Sequence, residues 1–169
     1  TTSLSNFEVN LGGYRDVEDP SITLRLAVTE GNEHAEAGDY LLVWTTTPWT
    51  LPWNLGVAVG SDIEYARVVD GTDHYWIASE RIDAVWPDTT PEIVATATGE
   101  ELLGIGYEPP FPHFIDEYAN GAFRVLPMDE VTTDEGSGLV HIAPAYGEAD
   151  FLAFRQAGID VLVDPVDLE

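Results

Sequence analysis

The chain has 169 residues, 44% of them hydrophobic, with five Trp, seven Tyr and six Phe. That is the length of one ordinary domain with a real core, and it is too apolar and aromatic for a disordered tail despite a formal charge of −25. No apolar run approaches the ~20 residues of a membrane span; no signal-peptide pattern opens the sequence, and the absence of cysteine excludes disulfides and thiolate metal sites.

Residues 1–13 are polar and weakly patterned and read as a leading linker, matched by a linker-like end at 164–169. Ile22, Leu24, Leu26 and Val28 then alternate with Thr23, Arg25, Ala27 and Thr29, the period of a strand with one buried face. Tyr40 to Thr45 is a short β-rich run, broken afterwards by Pro48 and Pro52. Further strands are expected over 55–59, 63–69, 74–78, 92–96, 122–126 and 139–143, with Gly, Pro, Asp or Asn in most of the gaps. Helical patterning is scarce. Ser79 is expected to cap a short helix through Val85, and 148–157 reads as amphipathic with Gly158 as its stop. Tyr107 to Pro112 carries three prolines and cannot be a strand interior or a helix, so it reads as a rigid connection. The pattern predicts a mainly β domain: a closed barrel core with a few peripheral short helices, and no internal boundary or repeat.

Acidic residues number 31 against six basic ones, and all six are Arg. The carboxylates are spread through every segment rather than blocked. Such a coat suits a protein that stays soluble in concentrated salt, because at ~1 M the Debye length is about 3 Å and self-repulsion is screened. The expectation is a halophile's cytoplasmic protein. Charge ordinarily argues against a nucleic-acid partner, but in such a solvent that argument weakens.

Two clusters could carry chemistry. The first is Trp44-Thr45-Thr46-Thr47-Pro48-Trp49-Thr50-Leu51-Pro52-Trp53-Asn54, where four hydroxyls and an amide lie among three indoles and two prolines. These residues suit a small, stiff-walled pocket that orients a polar ligand or a water, and equally a strand end whose tryptophans fill the core. The second is Gly136-Ser137-Gly138-Leu139-Val140-His141-Ile142-Ala143-Pro144, continuing to Gly147, Asp150 and Phe151. It reads as a strand, a turn and a helix start. Asp150 falls in the first helical turn, where a carboxylate meets backbone N–H groups and the positive helix end; capping alone would explain it. His141 on a strand is as readily a hydrogen-bonded core residue as a functional one. Other chemistries fail: there is no dinucleotide or phosphate-loop glycine motif and no nucleophile elbow, and the four histidines never fall at metal-ligand spacing.

Together the two clusters resemble the signatures of the editing domain of isoleucyl-tRNA synthetase, an insertion in the class I catalytic fold. Tyr14 to Leu26 is similar to that family's first strand, so the resemblance spans almost all of residues 1–169. Valyl and leucyl relatives carry an Arg before the Pro of the first signature, and Thr47 stands there instead. The synthetic signatures are absent, and the lysine-containing one is impossible here. The resemblance therefore implies an aminoacyl-tRNA ester hydrolase without synthetic activity, acting on valine carried by the acceptor end of tRNA(Ile), and on valyl-adenylate. Valine and isoleucine differ by one methylene, which a pocket converts into only about 1–3 kcal/mol, the isoleucyl enzyme being the usual illustration of that limit.

By resemblance, Thr45, Thr46, His141 and Asp150 form the catalytic set, and Thr47, Trp49, Thr50 and Asn54 bind substrate. Asp150 would hold the α-ammonium. Thr47, Trp49 and His141 would set the size limit, while Thr45, Thr46, Thr50 and Asn54 would meet the terminal adenosine or place water. Tyr146 and Trp53 depart from the bacterial pattern, as an archaeal-type rim would. No metal or cofactor is implied, ATP and Mg belonging to the synthetic part. The partners implied are the tRNA and the rest of the synthetase, with no membrane and a monomeric state. The alternatives are the same fold serving a valyl- or leucyl-type synthetase, or a module that binds the acceptor end without cleaving it.

Overall fold

The computed structural model describes residues 20–163, so the linker-like ends at 1–13 and 164–169 and the first part of the Tyr14–Leu26 strand lie outside the described residues. Nine strands follow in order: β1 (Ile22–Glu30), β2 (Tyr40–Thr45), β3 (Gly56–Val59), β4 (Glu64–Asp70), β5 (Asp73–Ala78), β6 (Glu92–Thr98), β7 (Gly106–Tyr107), β8 (Arg124–Pro127) and β9 (Leu139–Ile142). The sheet runs β1-β7-β8-β3-β9-β2, and β2 pairs back onto β1, closing a six-stranded barrel. Strands β5, β4 and β6 extend it beyond β2. The fold is mainly β, as the alternation predicts: Leu26 and Val28 of β1 are buried while Thr23, Arg25 and Thr29 face solvent.

One edge of β2 is taken by β1, from Ile22↔Thr45 to Ala27↔Tyr40. The other is divided, with Tyr40 and Leu41 paired to β5 and Trp44 paired to β9. At this fork the carbonyl of Leu42 would be orphaned, and the Ser137 hydroxyl donates to it at 2.6 Å. The Ser137 carbonyl in turn accepts from Ala78 N–H at 2.9 Å. Gly136 and Gly138 flank it at φ +69° and +79°; a Cβ on Gly136 would meet the Trp44 ring at 2.5 Å, and one on Gly138 would meet Ala78 Cβ at 2.4 Å. The glycine-serine-glycine run thus builds the fork. A second tie pins the extension: buried Asp39 accepts from Arg67 Nη2 (2.7 Å) and from the indole of fully buried Trp76 (3.1 Å).

The helices differ from expectation in detail. Ser79 does not cap a helix; it opens a 3-10 turn (Ser79–Arg81) whose N-cap position is Ala78, and its buried hydroxyl has no partner. A short helix, α1 (Ile82–Val85), follows and covers a small outer cluster around Leu42, Val68 and Ile77. The proline-broken stretch is ordered as a 3-10 helix, Pro48–Trp53, held by Thr50 N–H to Thr47 O and Asn54 N–H to Leu51 O, bonds that need neither proline nitrogen. The second proline-rich segment is shorter than expected. Tyr107 ends β7 opposite Val28, and Pro112 begins a kinked 3-10 helix, Pro112–Asn120. The last helix, α2 (Glu148–Gln156), starts after Gly147 and ends before Gly158 at φ +72°, as the pattern predicts.

Gly138→Ala combines a positive φ with a backbone-adjacent clash and is expected to cost about 2–4 kcal/mol in urea unfolding. Gly38→Ala, at φ +100° but in open space, should cost only about 1 kcal/mol. Equal losses would mean that the fork is not tightly packed.

Candidate functional site

Three elements converge beside the fork: the Pro48–Trp53 helix, the end of β9 and the start of α2. Between them lies a cavity of about 320 Å³. Thr47, Trp49 and Thr50 line it from the first element, His141 and Ala143 from β9, and Tyr146, Gly147 and Asp150 from α2 and its approach. Trp49 and Tyr146 stand at the exposed rim, with Tyr146 packed on Trp53 at 5.2 Å between ring centroids. A larger hollow of about 440 Å³ lies elsewhere, lined by the carboxylates of Asp62, Glu64 and Glu80 with Ile63, Ser79 and Thr133 and by no cationic side chain.

Asp150 is in the first turn of α2, and its Oδ2 accepts from the Ala143 N–H at 2.8 Å. That bond favours the carboxylate, but burial outweighs it and pushes the Asp150 pKa up. Gly147 allows the close approach, since a Cβ there would lie 3.0 Å from the Asp150 carboxyl carbon. The free carboxylate oxygen is an acceptor suited to a cationic or hydrogen-donating ligand.

His141 is buried and clamped from both sides. Its Nε2 is 2.9 Å from Thr50 Oγ1, and its Nδ1 is 2.8 Å from Asn54 Nδ2. Burial lowers its pKa from 6.5 to about 4, so the ring is neutral at physiological pH. Asn54 is itself held by Gly56 O (2.9 Å) and by the hydroxyl of fully buried Tyr107 (2.6 Å). The hydroxyls of Thr45, Thr47 and Thr50 continue the chain at 3.3 and 3.1 Å.

Of the residues singled out in the sequence, Thr47, Trp49, Thr50, His141 and Asp150 share the cavity wall. Thr45 and Asn54 are buried behind it, and Thr46 is exposed outside it. Tyr107 escaped sequence reasoning: nothing in a proline-rich segment marks contact with a residue 53 positions away. Ala143 and Gly147, both within the second motif, shape the cavity without presenting side-chain polar groups. Among the described residues no group of three or more His, Asp or Glu is placed to hold a metal ion. The arrangement can bind a small ligand, orient it by a carboxylate and hydroxyls, and limit its size.

Comparison with known proteins bears on the fold. No family model matches the chain. It is 43% identical to an isoleucine–tRNA ligase of Treponema denticola over 100% of its own length, and 48% identical to that of Mycobacterium leprae over 98%. It spans about one sixth of the length of these curated relatives, 18% and 16% respectively. Among solved structures, GlLeuRS-CP1 matches with a TM-score of 0.64 at 16% identity, covering 83% of this chain and 63% of that one. The P. falciparum cytosolic leucyl-tRNA synthetase editing domain matches at 0.61 with 9% identity, covering 83% and 67%. The fold is that of the synthetase editing domains.

Between pH 6.5 and 4 the unfolded chain protonates its histidine before the folded chain does. Stability conferred by neutral His141 is therefore complete above pH 6.5 and is lost as pH falls through about 4, a loss of about 3 kcal/mol. Asp150, with its raised pKa, acts with the opposite sign. His141→Gln keeps one donor and one acceptor but cannot titrate, so its urea-unfolding stability should fall less over this window. Parallel wild-type and variant curves would contradict the clamp.

Proposed function

From the editing-domain fold and the kinship with isoleucine–tRNA ligases, we propose that this chain proofreads for isoleucine, hydrolysing the ester of valine misattached to tRNA(Ile), and also valyl-adenylate. The observation that supports it most directly is the meeting of Asp150, His141, Thr47 and Thr50 on one small cavity. In this reading the Asp150 carboxylate receives the α-ammonium, an interaction that fixes orientation as well as adding energy. Thr47, Trp49 and His141 bound the side-chain end, where valine fits and the extra methylene of isoleucine does not. Discrimination then comes from exclusion, not from the about 1–3 kcal/mol a hydrophobic contact can supply.

No side chain at the cavity is an activated nucleophile. Ser137, the motif's hydroxyl, is spent at the fork on Leu42 O. Hydrolysis rests on holding water against the ester carbonyl and on polar groups aimed at the developing oxyanion, with a ribose hydroxyl of the substrate able to assist. Thr50 serves this placement at the wall, with Thr45 and Asn54 behind it, while Thr46, outside the cavity, meets the terminal adenosine. The domain works as a cytoplasmic monomer on the acceptor end delivered by the rest of a synthetase, needs no cofactor of its own, and is adapted to molar salt by its acidic coat.

Deacylation of Val-tRNA(Ile) and Ile-tRNA(Ile) in molar KCl tests this. The valyl ester should be cleaved and the isoleucyl ester spared, and Asp150→Ala should slow valyl hydrolysis about 100-fold, the worth of a charge-assisted hydrogen bond. His141→Ala should admit isoleucine. Wild-type rates from Asp150→Ala would overturn the assignment, and binding of Val-tRNA without cleavage would favour an acceptor-end binding module.

A further inference from the structure

The hydrogen bonds behind the cavity have only one consistent direction. The Gly56 carbonyl can only accept, so the Asn54 atom 2.9 Å from it is the amide nitrogen. Asn54 Oδ1 then faces Tyr107, whose hydroxyl donates at 2.6 Å. The same amide nitrogen donates to His141 Nδ1 at 2.8 Å, which must carry a lone pair there. A neutral imidazole so arranged bears its proton on Nε2 and donates to Thr50 Oγ1 at 2.9 Å. The Thr50 proton goes to the Thr47 carbonyl at 2.9 Å, since that oxygen also only accepts. Thr50 Oγ1 is left to accept the Thr47 hydroxyl proton at 3.1 Å. Thr45 therefore donates to Thr47 Oγ1 at 3.3 Å, while its own oxygen accepts from Thr47 N–H at 3.0 Å. One lone pair remains unspent on Thr47 Oγ1, and Thr47 lines the cavity.

We propose that Tyr107 and Asn54 are positioning residues that lock His141 as its Nε2–H tautomer, which turns the Thr50 proton onto the Thr47 carbonyl, beside a Thr47 hydroxyl that donates to Thr50 and so presents an acceptor lone pair to the cavity. The lock is a property of the protein alone; what Thr47 accepts from rests on the editing reading above. There, with Asp150 committed to the ammonium, Thr47 Oγ1 holds one proton of the attacking water and turns an oxygen lone pair of that water toward the ester carbonyl. His141 is not the base in this arrangement, because one ring nitrogen already bears a proton and the other's lone pair is spent on Asn54. Its Nε2–H fixes the Thr50 proton on the Thr47 carbonyl, and Thr50 Oγ1 takes the Thr47 proton away from the water.

Long-range proton–nitrogen NMR on the ¹⁵N-labelled chain at neutral pH reads the tautomer directly, with His141 identified by the signal missing from His141→Gln. The wild type should show a proton on Nε2 and none on Nδ1. Asn54→Asp replaces the donor facing Nδ1 by an acceptor and should move a proton onto Nδ1. Tyr107→Phe removes only the phenol and should lower the Nε2–H fraction, with kcat for Val-tRNA hydrolysis falling about 10-fold and KM little changed. A purely structural tyrosine would leave the tautomer untouched, and that result would overturn its assigned part. An Nδ1–H or doubly protonated ring in the wild type, or an unchanged tautomer in Asn54→Asp, would overturn the whole. Should no form hydrolyse Val-tRNA, the editing reading fails while the tautomer still decides this proposal.

Discussion

A β-strand has two edges, and β2 is asked to serve three neighbours. One edge belongs to β1, so β5 and β9 must share the other, and a backbone carbonyl is stranded where they part. The Ser137 hydroxyl resolves that conflict at Leu42, and the glycines on either side let the chain turn tightly enough to reach it. Arg81 secures the same corner by donating to the Gly136 carbonyl at 2.8 Å. Barrel closure and the β5-β4-β6 extension both pass through this point. So does the site, because His141 lies four residues beyond Ser137 and reaches Thr50 and Asn54 only if β9 leaves the fork along β2.

The cavity is built from polar groups whose freedom has been removed before any ligand arrives. Backbone carbonyls of Gly56 and Thr47, which can only accept, orient Asn54 and Thr50. Burial keeps Tyr107 and His141 uncharged, so neither can relieve a mismatch by ionising. A fully satisfied buried network of this kind is rigid, and a rigid site loses little free energy to reorganisation when substrate binds. Asp150 is the exception: its carboxylate is partly desolvated and answers to a single backbone N–H, leaving capacity for a ligand.

Much of the fold was legible because its strands alternate. Tyr40–Thr45 coincides with β2, and the face of β1 follows its apolar set. The two-residue strand β7 was not legible, since its pairing with Val28 and Arg124 is set by closure of the barrel and not by any local pattern. The prolines of 107–112 concealed the helix that Pro112 starts, because a proline suits a first helical turn as well as it breaks a later one. Within the site, Asp150 and His141 stood out as a polar pair in an apolar motif. The threonines did not sort themselves: Thr46 and Thr47 are chemically identical, and only the turn into the 3-10 helix points one outward and the other at the cavity.

Each of the five arginines among the described residues is already occupied. Arg25, Arg67, Arg124 and Arg155 face carboxylates, and Arg81 is held by backbone carbonyls. A polyanion approaching the surface of the described residues would meet no uncommitted arginine on it and a field of its own sign. Ordinary nucleic-acid binding weakens with salt, because neutralised phosphates release their counterions. On this surface the dominant long-range term toward a polyanion is repulsion, which salt screens, so the expected slope is inverted: added electrolyte would ease the approach. Salt that screens these carboxylates from one another would equally screen them from an approaching phosphate chain.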